Sequence, residues 1–301
     1  MDKDELYQEL FNRLNSASVL SPDFPDETIE STLNALWSTA QGIPCSAIHA
    51  KTFLPEELTE EKKATLLSLV EKRIKGTPLA HLTGRVHFMG LEILFEPGIF
   101  LVRPETELLG HSVITFLNEK AIHADMLRMI DIGCGSGNLT CGIACSIKNL
   151  EVWSIDISEK CTALTKKNVD LYGLNDLVTV FQGDLFTPVS NLGLEGTLDA
   201  IICNPPYIAT SRLAGDRSYL LNHEPREAFD GGPFGFGLHM RLIKEALAFL
   251  NPHGALFFEF GAGQHTQVQR LIERSRGYNS VEFSEDESGI PRVAIARKGG
   301  K

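Results

Sequence analysis

Apolar positions follow two rhythms along the 301-residue chain. Up to about residue 77 they recur at helical spacing. Residues 3 to 14 and 26 to 40 carry helical patterns, and Leu66, Val70 and Ile74 repeat every fourth position behind the polar start Thr59-Glu60-Glu61. Pro22, Pro25, Pro44 and Pro55 punctuate this stretch and Gly76-Thr77-Pro78 closes it, which predicts a small all-helical domain over residues 1–77. On the helix of residues 60 to 75, Glu61, Lys62, Glu71, Lys72, Arg73 and Lys75 read as a solvated face. Residues 78–102 read as a linker carrying a β-hairpin over 86 to 102, with its turn at Glu96-Pro97-Gly98, bridging to a second domain over 103–301. From Arg128 short apolar runs (128 to 132, 151 to 157, 177 to 181, 198 to 203, 254 to 260) alternate with helical segments (138 to 148, 158 to 172, 236 to 250). That alternation predicts an α/β fold, a doubly wound parallel sheet with helices on both faces. Val281-Glu282-Phe283 and Val293-Ala294-Ile295-Ala296, flanking Asp286 to Pro291, predict a closing antiparallel hairpin.

Composition narrows the function classes. Hydrophobic residues make up 43% and charged residues 22%, the balance of a globular protein with a proper core rather than a disordered chain. The net charge of −11 repels phosphate backbones, and no Lys/Arg run exceeds a pair such as Lys62-Lys63 or Lys166-Lys167, so no direct nucleic-acid partner is expected. No apolar run reaches the ~18 residues that span a bilayer, and Met1-Asp2-Lys3-Asp4-Glu5 lacks the features of a signal peptide. A cytoplasmic protein with no membrane partner is expected. The six cysteines (Cys45, Cys134, Cys141, Cys145, Cys161 and Cys203) lie in apolar segments without a C-x-x-C pair, which suits buried thiols in a reducing compartment and no metal site.

The strand Met129-Ile130-Asp131-Ile132 runs directly into Gly133-Cys134-Gly135-Ser136-Gly137, and a helical pattern starts at Asn138. In a doubly wound sheet such a turn lies at the carboxyl edge, where ligands bind, and glycine lets a ligand approach the backbone with no Cβ in the way. The next strand ends in Asp156, nineteen residues after Gly137. An ionised carboxylate there accepts both hydroxyl hydrogens of an adenosine ribose. Loop and acid together indicate a nucleoside cofactor. The spacing G-x-G-x-G, with Asp131 two positions ahead of it, departs from the dinucleotide fingerprint. It resembles motif I of the class I S-adenosylmethionine-dependent methyltransferases, whose ligand has no pyrophosphate.

A later strand, Leu198 to Cys203, ends in Asn204-Pro205-Pro206-Tyr207. Two successive prolines have no N–H and a fixed φ, so they cannot continue a central strand, and they leave carbonyls pointing in a defined direction. The Asn204 side-chain oxygen and the Pro205 carbonyl together suit the two hydrogens of one planar –NH2 group, while Tyr207 offers a ring face to a planar substrate. Such a geometry fits an amide or an aromatic amine. An amide nitrogen is a poor nucleophile, and fixed carbonyl dipoles stabilise the positive charge that builds on it as it accepts a methyl group.

With these motifs in place the chain resembles the release-factor protein-(glutamine-N5) methyltransferases over nearly its whole length. The resemblance also rests on Gly76-Thr77-Pro78-Leu79-Ala80-His81-Leu82-Thr83-Gly84, Arg103-Pro104-Glu105-Thr106-Glu107-Leu108-Leu109, His223-Glu224-Pro225-Arg226 with Asp230-Gly231-Gly232, and Asp286 to Val293. It implies a class I methyltransferase fold, Rossmann-like with seven strands, behind an N-terminal helical domain that docks the substrate. The implied substrate is the glutamine of the Gly-Gly-Gln tripeptide in class 1 peptide-chain release factors. The implied cofactor is S-adenosylmethionine, leaving as S-adenosylhomocysteine, and a monomer is expected. By position, Gly133, Cys134, Gly135, Ser136, Gly137 and Asp156 would bind the cofactor, with Asp184 and Leu185 flanking the adenine. Asn204, Pro205, Pro206 and Tyr207 would hold the glutamine amide, Asn204 also adjoining the cofactor. Arg103, Glu105 and Thr106 would lie in a loop closing over the site.

Three positions depart from the family pattern. Val102 stands where a proline is common ahead of Arg103, Leu185 where an aromatic ring often stacks on the adenine, and Ser211 to Asn222, with Arg212 and Arg217, matches little. These leave open a relative acting on another amide or amine, in a small molecule or a nucleic acid. His81, His87, His111 and His223 show no metal-ligand spacing and read as ordinary polar residues, His223 lying near the mouth of the site by resemblance.

Overall fold

The computed structural model describes residues 2–17, 19–21, 23–215 and 217–300. Met1, Ser18, Pro22, Asp216 and Lys301 lie outside the described residues, and with them the break expected at Pro22 and the outermost domain bounds. The chain divides into two compact units, one ending at Pro104 and one beginning at Glu105.

The first unit holds α1 (Lys3–Ser16), α2 (Ile29–Gln41), α3 (Ala47–Ala50), α4 (Glu60–Ile74) and α5 (Leu79–Thr83), followed by β1 (Arg85–Phe88) and β2 (Leu91–Leu94). Helix starts are set by side chains that satisfy otherwise unpaired N–H groups. Asp2 with Glu5 and Thr28 with Ser31 form reciprocal capping boxes, and Thr59 caps α4. Leu6, Leu10 and Leu14 pack with Leu33, Leu36 and Trp37 and with Leu66 and Val70 in one core. The Trp37 indole N–H is satisfied by the Glu56 carbonyl at 3.0 Å.

Two expectations are corrected here. Arg73 does not belong to the solvated face of α4. It is buried and donates to Glu27 at 2.6 Å and to the Thr77 carbonyl at 3.1 Å. The hairpin turns at Met89-Gly90, both at positive φ, rather than at Glu96-Pro97-Gly98, because a two-residue turn with two left-handed residues matches the strand twist. The hairpin belongs to the first unit, which ends at Pro104 beside the expected start of the second domain at residue 103.

The second unit contains α6 (Glu107–Ala121), β3 (Leu127–Ile132), α7 (Asn138–Ser146), β4 (Leu150–Asp156), α8 (Glu159–Leu171), β5 (Val178–Gln182), β6 (Leu198–Cys203), α9 (Thr210–Leu213), α10 (Gly237–Phe249), β7 (Leu250–Glu259), α11 (His265–Ser275), β8 (Tyr278–Glu285) and β9 (Pro291–Lys298). Its seven-stranded sheet has the order β5-β4-β3-β6-β7-β9-β8. The five strands from β5 to β7 are parallel, while β9 pairs antiparallel with both β7 and β8. The terminal hairpin therefore enters the sheet by its second strand. All six residues of β6 are buried, as helices on both faces require. The chain leaves β3 toward β4 and β5 and then crosses back to β6, so the strand order reverses between β3 and β6. Ligands bind at such a switch point, outside the carboxyl ends of the strands.

Helices α6 and α11 are absent from the sequence reading. In α6 the buried Leu109, Val113, Phe116 and Leu117 keep helical spacing, whereas α11 buries only Val268 and Ile272. Among the described residues no helix is long and apolar enough to cross a membrane. Cys134, Cys141 and Cys203 are buried, but Cys145 is exposed at the end of α7 and Cys45 and Cys161 are half-buried, which corrects the expectation of six buried thiols. All six are free.

Glu27→Ala leaves the buried Arg73 guanidinium without its counter-charge and is expected to destabilise the folded chain by about 3 kcal/mol. Urea unfolding of the variant beside the parent protein measures the loss.

Candidate active site

Strand register brings the site together. Ile132 pairs with Ile155 on one side and Cys203 on the other, and Cys203 pairs with Phe258. One step further along each strand, Asp156, Gly133, Asn204 and Glu259 therefore follow one another across the carboxyl edge. At ~4.8 Å per strand, Asp156 and Asn204 stand about 10 Å apart with the glycine loop between them.

The loop leaves β3 with Gly133 and Cys134 both donating to the Ile155 carbonyl, at 2.7 and 3.1 Å. Gly137 takes φ +77 at the start of α7, and a Cβ there would come within 2.8 Å of Thr165 Cγ2 on α8. Only glycine admits this approach of loop and helix. At Gly133, by contrast, a Cβ would meet nothing within 4 Å, so open space borders the loop backbone. Cys134 and Ser136 turn their side chains inward, the thiol 3.3 Å from Thr165 Oγ1 and the Ser136 hydroxyl donating to Asn138 Oδ1 at 3.2 Å, so their backbones are what they offer a ligand.

Asp156 accepts from Gly135 N at 2.9 Å and from Ser158 N at 2.8 Å. Burial raises its pKa and these two N–H groups pull it back down. The carboxylate thus ties the loop to β4 and still has lone pairs for further donors. Behind the loop Asp131 is fully buried, holding Thr140 Oγ1 at 2.6 Å through one oxygen while the other has no partner among the described residues. Burial pushes its pKa up to about 7, against the lowering effect of the Thr140 hydroxyl.

Beyond β6, Asn204 Nδ2 donates to Thr106 Oγ1 at 3.1 Å, and Thr106 Oγ1 donates to Glu259 Oε2 at 2.8 Å. The Tyr207 hydroxyl donates to Glu259 Oε1 at 3.1 Å. Burial lifts Glu259 to about 7, opposed by the Thr106 bond, Arg292 and the Tyr207 bond and reinforced by Glu105; Tyr207 rises through burial and the neighbouring Glu259 charge. Gln264 bridges the Gly261 N–H and the Tyr207 carbonyl, and a Cβ at Gly231 or Gly235 would strike the Pro206 or Tyr207 carbonyl. The Asn-Pro-Pro-Tyr turn is held on several sides. Among the described residues neither Asn204 Oδ1 nor the Pro205 carbonyl has a donor, so two acceptors are left for a ligand.

The structure thus groups Gly133 to Gly137 with Asp156, and Thr106 with Asn204 and Tyr207. Asp184 is exposed and paired with Arg241 at 2.8 and 3.2 Å, and the Leu185 side chain packs into the core beside Phe186 and Val189 rather than standing open. Arg103, in the first unit, stacks over Phe24 and Phe100 at 5.3 and 5.4 Å, and Glu105 is exposed. Sequence reading missed Glu259, Gln264 and His239. His239 is buried with Nε2 3.2 Å from the Glu259 carbonyl oxygen, and burial lowers its pKa to about 4. No group of three or more metal-ligating side chains occurs among the described residues.

Comparison with known proteins agrees with this architecture. Residues 112–218 match the family described as Methyltransferase small domain. A human methyltransferase 10 domain containing protein of known structure, 17% identical, superposes with a TM-score of 0.52 over 71% of this chain and 90% of its own. The catalytic domain of hMettl16 gives 0.53 at 18% identity over 71% and 77%. The fold is that of the class I methyltransferases. Curated sequences narrow it further. Release factor glutamine methyltransferase of Thermodesulfovibrio yellowstonii is 32% identical over 80% of this chain and 84% of its own length, and that of Geobacter sulfurreducens 31% identical over 88% of each. The chain belongs to the release factor glutamine methyltransferase family.

Asp131 gives a pH signature. Its ordinary value is 3.8 and its folded value about 7, so between these the folded chain keeps a proton that the unfolded chain has released, and stability falls as pH rises through that window. Asp131→Asn lacks this proton, and urea midpoints collected across the window are expected to decline less steeply than those of the parent.

Proposed function

We propose that this chain transfers the methyl group of S-adenosylmethionine to the side-chain amide nitrogen of the glutamine in the Gly-Gly-Gln tripeptide of class 1 release factors. The observation that carries the reading is the pair of open acceptors, Asn204 Oδ1 and the Pro205 carbonyl, set about two strand spacings from Asp156 at the switch point. The names of the curated relatives supply the same substrate class.

The residues present suit the cofactor. The open space beside Gly133 admits a ligand against the loop backbone, and Asp156 has lone pairs for ribose hydroxyls. When bound, S-adenosylmethionine supplies an electrophilic methyl group and leaves as S-adenosylhomocysteine. Gly133, Gly135, Gly137 and the backbone at Cys134 and Ser136 would line it. Asp184 and Leu185 lie just past the carboxyl end of β5, beside Asp156, where Asp184 or the Leu185 backbone would meet the adenine.

Asn204 Oδ1 and the Pro205 carbonyl accept the two N–H bonds of the substrate amide and fix its nitrogen and its plane. As positive charge develops on that nitrogen, the two oxygens lower its energy, and because they are already aligned they cost no reorganisation. Pro205 and Pro206 keep the turn from rearranging and Tyr207 flanks it. The extra proton on nitrogen passes to solvent. The first unit, with Arg103 at its end, would dock the release factor and Glu105 would border the site. This reading sets the enzyme in the cytoplasm, where release factors act.

Labelled S-adenosylmethionine incubated with a class 1 release factor is expected to mark the Gly-Gly-Gln protein and not a Gly-Gly-Ala variant. Asn204→Ala should lower turnover on the order of 10²-fold while still binding cofactor. Equal labelling of both factors, or label on nucleic acid or a free amino acid instead, would overturn the assignment.

A further inference from the structure

Asn204 serves as an acceptor only if its carboxamide faces the right way. A carboxamide has an oxygen at one end and an –NH2 at the other, with nearly the same shape, and turning it over exchanges acceptor for donor. Nothing in the Asn-Pro-Pro-Tyr turn itself decides between the two. The decision lies two hydrogen bonds away. We propose that Glu259 is a positioning residue which, through the Thr106 hydroxyl, fixes the outward face of Asn204 as oxygen.

The bonds have one consistent direction. An ionised carboxylate only accepts, so Glu259 Oε2 takes the Thr106 hydroxyl hydrogen at 2.8 Å. The Thr106 oxygen then has only lone pairs to offer Asn204, at 3.1 Å, and the –NH2 end must turn toward it. Oδ1 is left outward. Thr106 and Glu259 are both buried, so no solvent molecule easily replaces a missing donor or acceptor.

Protonation reverses the direction. The other oxygen, Oε1, holds the Tyr207 hydroxyl, which has no second acceptor among the described residues, so the added proton goes to Oε2. It is then donated to Thr106, and the Thr106 hydrogen turns to Asn204, which meets it by bringing Oδ1 inward. The –NH2 now faces out, donor against the donors of an amide substrate. Groups around Glu259 act in both directions: Arg292 favours its charged form, Glu105 opposes it, and burial opposes it most, giving a value of about 7. His239, against the Glu259 carbonyl, is pushed down to about 4 and is neutral in this range. Acceptor competence is therefore present above about pH 7 and lost below it.

This inference rests on the reading of Asn204 as an amide acceptor, and its test separates the two. The Asn204 side-chain amide resonances and the Glu259 carboxyl resonance are followed by NMR through a titration bracketing pH 7, in the parent chain, Thr106→Ser, Thr106→Val and Glu259→Gln. In the parent and in Thr106→Ser, which keeps the hydroxyl, the Asn204 amide is expected to move with the Glu259 midpoint. In Thr106→Val and Glu259→Gln it stays still. Methyl transfer to the release factor is measured alongside. Its kcat/KM should fall about tenfold per pH unit below that midpoint in the parent and Thr106→Ser, and lose this limb in Glu259→Gln. An Asn204 amide that ignores the Glu259 titration in the parent chain, or follows it equally in Thr106→Val, overturns the proposal whatever the activity. A titrating amide in a chain that methylates no release factor upholds the positioning role and rejects the substrate.

Discussion

The parallel register of β4, β3, β6 and β7 is the constraint on which the rest of the site depends. Each strand contributes one residue to a row across the carboxyl edge, and the row runs Asp156, Gly133, Asn204, Glu259. A slip of one residue in any strand turns its contribution to the opposite face. The register is held by burial on both faces of the central strands, above all β6, whose six residues are all inside. Hydrophobic packing thereby determines where the Asp156 carboxylate and the Asn-Pro-Pro-Tyr turn stand relative to each other. No contact between those two residues is needed to set their separation.

Two buried carboxylates, Asp131 and Glu259, lie on this framework and share one physical condition. Each has lost most of its hydration, so each holds its proton to about pH 7. Their partners differ. Asp131 has one hydroxyl on one oxygen and none on the other, and it sits behind the glycine loop. Glu259 has a hydroxyl on each oxygen, and through them reaches both ends of the Asn-Pro-Pro-Tyr turn. A buried acid with all its acceptors occupied orders what surrounds it, because any alternative arrangement leaves a polar group unpaired. The turn thus presents bare oxygens at the edge while Thr106, Glu259 and Gln264 hold its Asn204 amide, Tyr207 hydroxyl and Tyr207 carbonyl.

The site residues that sequence made visible share a trait: each carries its chemistry in a local pattern. Gly133 to Gly137 announce a tight strand-to-helix turn, Asp156 ends a strand at a telling distance, and Asn204-Pro205-Pro206-Tyr207 cannot continue a strand. Thr106 was recognised only within a motif of resemblance, without its partner. Glu259 was invisible, since a glutamate ending an apolar strand has no local signature and its meaning comes from Thr106, 153 positions away. Leu185 is matched by motif, and only the fold shows that its side chain turns into the core.

The alternation of short apolar runs with helical segments was enough to determine the class of fold. Periodicity is local and survives in one dimension. Tertiary structure alone decided that β9 and not β8 joins β7, that Arg73 is an interior charge matched by Glu27, and that the hairpin turns at Met89-Gly90. Each of these depends on which distant surface is available for pairing or for excluding water, and a linear sequence carries no record of that until the chain has folded.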